Sequence, residues 1–208
     1  MTVLIQAIEK LKNSEISEVI SERINEFSLY RNEDISEIFK ELCFCIMTAN
    51  CGAEKCIEIH ELIDEGFLKL NEQDLVKKFK EYGYRFPNVR SNYIIHSRTL
   101  KNKLKSKLLE KIPENEVREW IVKNIKGLGY KESSHFLRNI GYKNLAIIDF
   151  HIVDILTKHG YIEKPKTMTK RKYIELEAIL KDLAKEVNLT LAELDLYLWY
   201  LETGKILK

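Results

Sequence analysis

Ile121-Val122-Lys123-Asn124-Ile125-Lys126-Gly127-Leu128-Gly129-Tyr130-Lys131-Glu132-Ser133-Ser134-His135-Phe136-Leu137 reads as a helix, a tight turn and a second helix. Apolar residues recur at Val117, Ile121, Val122 and Ile125, give way at Gly127 and Gly129, and resume at Phe136, Leu137 and Ile140. Both flanks therefore carry the three-to-four spacing of a buried helix face. Two glycines one residue apart let the backbone come close to a ligand, and the amides that open the second helix carry the positive end of its dipole. A phosphate fits such a turn, and contact through amides holds a nucleic-acid strand without reading its sequence. A bare Gly-x-Gly also occurs in ordinary αα-hairpins, so the turn alone leaves both readings open.

The same periodicity extends outward over the whole chain. It predicts helices near 2–12, 15–29, 34–50, 54–65, 72–80, 88–108, 115–125, 131–140, 150–159, 168–187 and 191–202. Gly52, Gly66, Gly83, Gly141, Gly160 and Gly204 each follow a periodic run, where a residue of positive φ would end a helix. Pro87, Pro113 and Pro165 fall in the gaps. The expected fold class is all-α, with two helical lobes and the helix-hairpin-helix segment (about 115–140) at the cleft between them. A central bundle over 31–140 would form one lobe; residues 1–30 and 141–208 would form the other.

With 208 residues and 45% hydrophobic content, the chain has ample material for a core, which excludes disorder. No run approaches the roughly 18 apolar residues of a membrane span, so a cytoplasmic, membrane-independent and monomeric protein is expected. The formal net charge of +2 is too small to imply nucleic acid, and any DNA site must be a local patch. The basic run Lys101-Asn102-Lys103-Leu104-Lys105-Ser106-Lys107 reads as a solvated helix face. Cys43, Cys45, Cys51 and Cys56 lack the paired Cys-x-x-Cys of a zinc site and are expected to be buried free thiols. Neither a metal nor an organic cofactor is expected.

Eighteen residues after Lys131 comes Ala146-Ile147-Ile148-Asp149-Phe150-His151-Ile152, an apolar segment that delivers a carboxylate to the start of the next helix. Taken together, the order Gly-x-Gly-x-Lys, apolar run, Asp-x-His resembles the lyase-active members of the helix-hairpin-helix DNA glycosylase superfamily. The short length, the Trp-bearing last helix and the ending Gly204-Lys205-Ile206-Leu207-Lys208 are similar to its archaeal and bacterial second-type 8-oxoguanine DNA glycosylase/AP lyases. Two features depart from the wider superfamily: Gly141-Tyr142-Lys143-Asn144 carries no proline, and the carboxy-terminal cysteine quartet of the iron-sulfur branch is missing.

The resemblance implies excision of a damaged base from duplex DNA, and the chemistry suits the two residues it singles out. Breaking an N-glycosidic bond builds positive charge on the sugar, which a carboxylate stabilises, while a neutral amine attacks C1′ to give an imine. Lys131 supplies the amine and Asp149 the carboxylate. Desolvation and the dipole at a helix amino terminus both disfavour an ammonium at Lys131. The plainer alternatives are a solvated lysine and a helix cap at Asp149.

An extruded base leaves a gap that side chains must fill. Asn50, at the tip Met47-Thr48-Ala49-Asn50, resembles the superfamily's plugging residue; Phe86, in Arg85-Phe86-Pro87-Asn88-Val89-Arg90, is an expected wedge. Arg90 is a donor for an unpaired cytosine. Lys126, Gly127 and Gly129 would hold backbone phosphate, and His151 resembles a further phosphate contact. His135, one turn beyond Lys131, would wall the base pocket, and Trp199 would stack on the base. In the resembled group the terminal lysine, here Lys208, completes that pocket. Other readings stay open at this point: a glycosylase/lyase for oxidised pyrimidines, a non-catalytic duplex-binding helix-hairpin-helix module, or an α-helical interaction scaffold.

Overall fold

The computed structural model describes residues 2–207, and among them it contains 13 helices and no strand. The packing of Cα atoms divides the chain into two compact units: residues up to Leu29 with those from Leu137 onward, and Tyr30–Phe136.

The chain opens with α1 (Val3–Lys12) and α2 (Ile16–Tyr30). There follow α3 (Ile35–Thr48), α4 (Ala53–Ile63), the single turn α5 (Gly66–Lys69), α6 (Glu72–Glu81), α7 (Pro87–Arg98), α8 (Lys101–Leu109) and α9 (Glu114–Asn124). The hairpin's second helix is α10 (Tyr130–Asn139), and the chain ends in α11 (Phe150–Lys158), α12 (Lys170–Glu186) and α13 (Leu191–Thr203). No helix among the described residues is long and apolar enough to cross a membrane.

Helix α3 is the axis of the Tyr30–Phe136 unit. Asp34 caps it by accepting from the Ser36 amide at 2.8 Å, and from Ile38 to Thr48 every residue is buried. Burial this continuous, with Lys40 and Glu41 included, marks a helix surrounded by others, and α4, α5, α7 and α8 all pack on it. Phe39, Phe44, Phe67 and Phe79 are wholly enclosed, each burial contributing roughly 1.5–3 kcal/mol. In the other unit, α13 is the shared element, touching α1, α11 and α12. Thr190 and Glu193 form a reciprocal capping box at its start, and Gly204, at φ 69°, closes its end.

Three expectations are corrected. The single helix expected over 88–108 is two, because the amides of Thr99 and Leu100 bond three residues back, to His96 and Ser97, in a tightened last turn. The Arg98 guanidinium reaches across to the Phe67 and Leu70 carbonyls, so the end of α7 is tied to the turn after α5. Gly52 is a helix N-cap at φ −64° and Gly66 opens α5; the left-handed residues there are Asn50 and Asp64, at φ 62° and 39°. The four thiols are free as expected, but Cys51 is half-buried where full burial was anticipated.

Candidate nucleic-acid interface and active-site residues

The hairpin is built from α9, the turn Ile125–Gly129 and α10. Gly127 sits at φ 87°, and a Cβ there would run into the Tyr93 ring, so glycine is required twice over. Gly129 is the residue just before α10. Its amide is already taken by Glu132 Oε2 at 3.3 Å, half of a capping box closed by the helix's own third residue. The first turn of α10 is pinned from below: Tyr130 donates to Glu119 Oε1, and the fully buried Arg118 guanidinium lies 5.2 Å from the Tyr130 ring and donates to Ser134 Oγ at 3.2 Å. Lys131 stands on that turn, half-buried, with its charge felt at Cys56. His135 is 7% exposed, with its ring edge-on to Phe44 at 5.8 Å, the placement of a core histidine under the hairpin. Lys126 is exposed in the turn.

The two loop tips that the sequence suggested separately are physically joined. Arg90, 9% exposed, donates to the Ala49 carbonyl at 2.9 Å and lies 5.4 Å from the Phe86 ring and 5.6 Å from the Tyr93 ring. Its guanidinium thus tethers the exposed Asn50 turn to the Phe86 loop. Tyr93 continues the connection by packing on Gly127, and Tyr84 anchors α3 from the other side by donating to the Met47 carbonyl at 2.7 Å. Asn50, Phe86 and the hairpin turn therefore form one connected cluster within the Tyr30–Phe136 unit.

In the unit containing both termini, Asp149 is the N-cap of α11, its Oδ1 accepting from the Ile152 amide at 3.0 Å. The segment before it is held by α12. Glu177 accepts from the Ala146 amide at 3.0 Å, and the Tyr173 hydroxyl accepts from the Ile148 amide at 3.2 Å while donating to the Ala146 carbonyl at 2.7 Å. Tyr173 and Glu177 are each 2% exposed, so extended backbone that no helix or sheet satisfies is satisfied by buried side chains. Tyr173→Phe strands two of those backbone groups and is expected to cost about 1–3 kcal/mol. Thermal unfolding would show it as a Tm lower by roughly 2–10 °C; an unchanged Tm would mean that water replaces the hydroxyl.

Beside Asp149, Phe150 is largely exposed with its ring 3.9 Å from His151. His151 meets the Trp199 ring edge-on at 5.0 Å, with Glu202 Oε1 at 4.0 Å from its Nδ1. Trp199 is half-buried and its indole Nε1 has no partner among the described residues. His151 and Trp199 thus form one aromatic cluster, although 48 positions separate them in the sequence. Lys208 lies outside the described residues. No group of three or more His, Cys, Asp or Glu among the described residues is placed to hold a metal ion.

Sequence reasoning passed over Tyr93, Glu132, Tyr173 and Glu177. Of these only Glu132 left a local signal, its three-residue offset from the turn glycine.

An all-helical chain in which a glycine of positive φ and the opening amides of a helix form such a hairpin is a helix-hairpin-helix protein, a class that grips duplex DNA by its backbone. The chain belongs to the family described as 8-oxoguanine DNA glycosylase, whose model matches residues 20–189. It is 52% identical to the 8-oxoguanine DNA glycosylase/AP lyase of Methanocaldococcus jannaschii, over 99% of this chain and 100% of the relative. It is 46% identical to the protein of the same name from Korarchaeum cryptofilum, over 99% of this chain and 98% of the relative. The solved structure of the M. jannaschii 8-oxoguanine glycosylase/lyase in complex with 15mer DNA containing 8-oxoguanine superposes with a TM-score of 0.95, at 52% identity and covering 99% of each chain.

Proposed function

We propose that this chain is a bifunctional DNA glycosylase and AP lyase that removes 8-oxoguanine from duplex DNA, with Lys131 as nucleophile and Asp149 as the carboxylate that meets charge on the sugar. The observation that carries the residue assignment is the half-buried lysine on the first turn of the hairpin's second helix, in a chain that covers its glycosylase/lyase relatives almost end to end.

Lys131 Nζ, on giving up a proton, attacks C1′ of the damaged nucleotide, and the N-glycosidic bond breaks with its electron pair leaving on the base, which takes that proton up. Asp149 stabilises the positive charge that grows on the sugar as that bond lengthens. The amine then loses a proton and the sugar ring opens at its oxygen, leaving an imine between Nζ and C1′. The imine acidifies the 2′ hydrogen; its removal expels the 3′ oxygen and cuts the strand. Water then releases the lysine.

Asn50 and Phe86, tethered through Arg90, fill and wedge the gap left by the extruded base. Lys126 and the turn of Gly127 and Gly129 hold a phosphate, and His151 holds another. Trp199 stacks on the base itself, and His135 packs beneath the hairpin against Phe44. The protein works as a cytosolic monomer. The test incubates the protein with duplexes carrying 8-oxoguanine, an oxidised pyrimidine or no lesion, in the presence of borohydride, which reduces an imine to a stable amine. A covalent adduct on the 8-oxoguanine duplex is expected. Adduct formation on the oxidised pyrimidine alone would overturn the substrate, and none on any duplex would overturn the enzyme assignment.

Glu132 competes with a phosphate for the Gly129 amide. Glu132→Gln keeps an acceptor for that amide but removes a negative charge from the helix start, worth roughly 0.3–1 kcal/mol. Affinity for undamaged duplex, read by fluorescence anisotropy at low salt, is expected to rise about two- to fivefold. Unchanged affinity would place the phosphate elsewhere.

A further inference from the structure

We propose that Cys51 and Cys56 form an oxidisable dithiol that closes to an intramolecular disulfide when it meets a peroxide. Gly52 is the N-cap of α4, which makes Cys51 the residue just outside the helix and Cys56 the fourth residue inside it. Side chains at those two positions pack on each other and fix the angle at which the chain enters a helix. Apolar residues usually occupy those positions; here two thiols do, near enough for Cys51 to be felt at Cys56. The helix register is set by the Cys56 amide bonding to the Gly52 carbonyl at 3.1 Å, so the juxtaposition belongs to the backbone.

The two thiols differ in access. Cys51 is half-exposed and open to a small oxidant, whereas Cys56 is 0% exposed and waits behind it. Burial, and then the neighbouring Cys51, raise the Cys56 thiol above its ordinary range, while the charges of Lys131 and Arg90 pull it back. Tyr84 faces the same pair. Cys51 sulfur attacks a peroxide oxygen, the O–O bond breaks, and sulfenic acid and one water result. Cys56 sulfur then attacks the Cys51 sulfur, its proton leaving with the displaced hydroxyl as a second water. Two thiols lose two electrons and two protons, and hydrogen peroxide becomes two waters. The two residues are neighbours across the first turn of α4, and closing the bridge brings the sulfurs to about 2.05 Å. Cys43 and Cys45 lie 0% exposed inside α3 and are out of reach. The oxidant is of the class that also converts guanine to 8-oxoguanine, and the dithiol adjoins the Asn50 turn.

The full chain, treated with hydrogen peroxide, blocked with iodoacetamide and digested with trypsin, tests this directly. Trypsin cuts after Lys55, between the two cysteines, so a disulfide joins two peptides that otherwise separate. The joined pair is expected in the monomer, with Cys43 and Cys45 outside any disulfide, and dithiothreitol should reverse it. Cys51→Ser and Cys56→Ser should each abolish it. Cys51 found as sulfinic or sulfonic acid with Cys56 free, or linked to a second chain, would overturn the proposal. The readout is a mass and owes nothing to glycosylase activity, so it stands or falls apart from the function proposed above.

Discussion

Lys131→Gln is expected to give no covalent adduct with 8-oxoguanine duplex under borohydride, and to lower strand cleavage by on the order of 10³-fold or more, while the protein melts at the same temperature. An amide nitrogen is not a nucleophile, so the imine cannot form and β-elimination loses its activating group. Glutamine matches lysine in helix propensity and keeps much of the side chain's apolar stem, so the first turn of α10 is not weakened. The Tyr130–Glu119 and Arg118–Ser134 contacts that pin this turn do not involve residue 131. Base release and strand cleavage should also separate: any excision that water supports leaves an intact abasic strand, visible only after alkali. An adduct that persists at wild-type yield in the variant would move the nucleophile to another amine.

The hairpin was legible in the sequence because its signals are local. Glycine at position 127 answers to a positive φ, and the apolar spacing on either side needs no tertiary information. Asp149 was legible for the same reason, as a carboxylate at a helix start following an apolar run. The division between α7 and α8 was not, since neither glycine nor proline marks it: Thr99 and Leu100 are unremarkable residues. What ends α7 there is accompanied by Arg98 binding carbonyls some thirty residues earlier, at Phe67 and Leu70. The same limit explains Arg90. Its place in a loop offered a base contact or a surface charge, and neither reading could show the bond to the Ala49 carbonyl, 41 positions away. Gly52 and Gly66 misled for a subtler reason. Glycine serves at helix starts as well as ends, and the left-handed positions were filled by Asn50 and Asp64, which tolerate that conformation. Side chains that hold a functional segment from a distance, such as Tyr173 and Glu177 under Ala146 and Ile148, leave no mark in the segment they hold.

Asp149→Asn is the second change with a large expected effect, and it separates the cap that Asp149 makes from the electrostatic role proposed for it. As the N-cap of α11, the side chain accepts from the Ile152 amide, and asparagine caps a helix about as well as aspartate. The variant should therefore unfold at nearly the wild-type temperature. Its amide oxygen carries no net charge, however, so the positive sugar in the transition state loses its electrostatic partner. Removing one preorganised interaction of that kind typically costs on the order of 10²–10³ in rate, and excision under single-turnover conditions should fall by that much. Asp149→Ala completes the comparison: it loses the charge and the cap together, so the same fall in excision should come with about 1 kcal/mol of lost stability. Equal activity in Asp149→Asn and the wild type would leave Asp149 as a cap alone, and the stabilising anion would have to be sought on another residue.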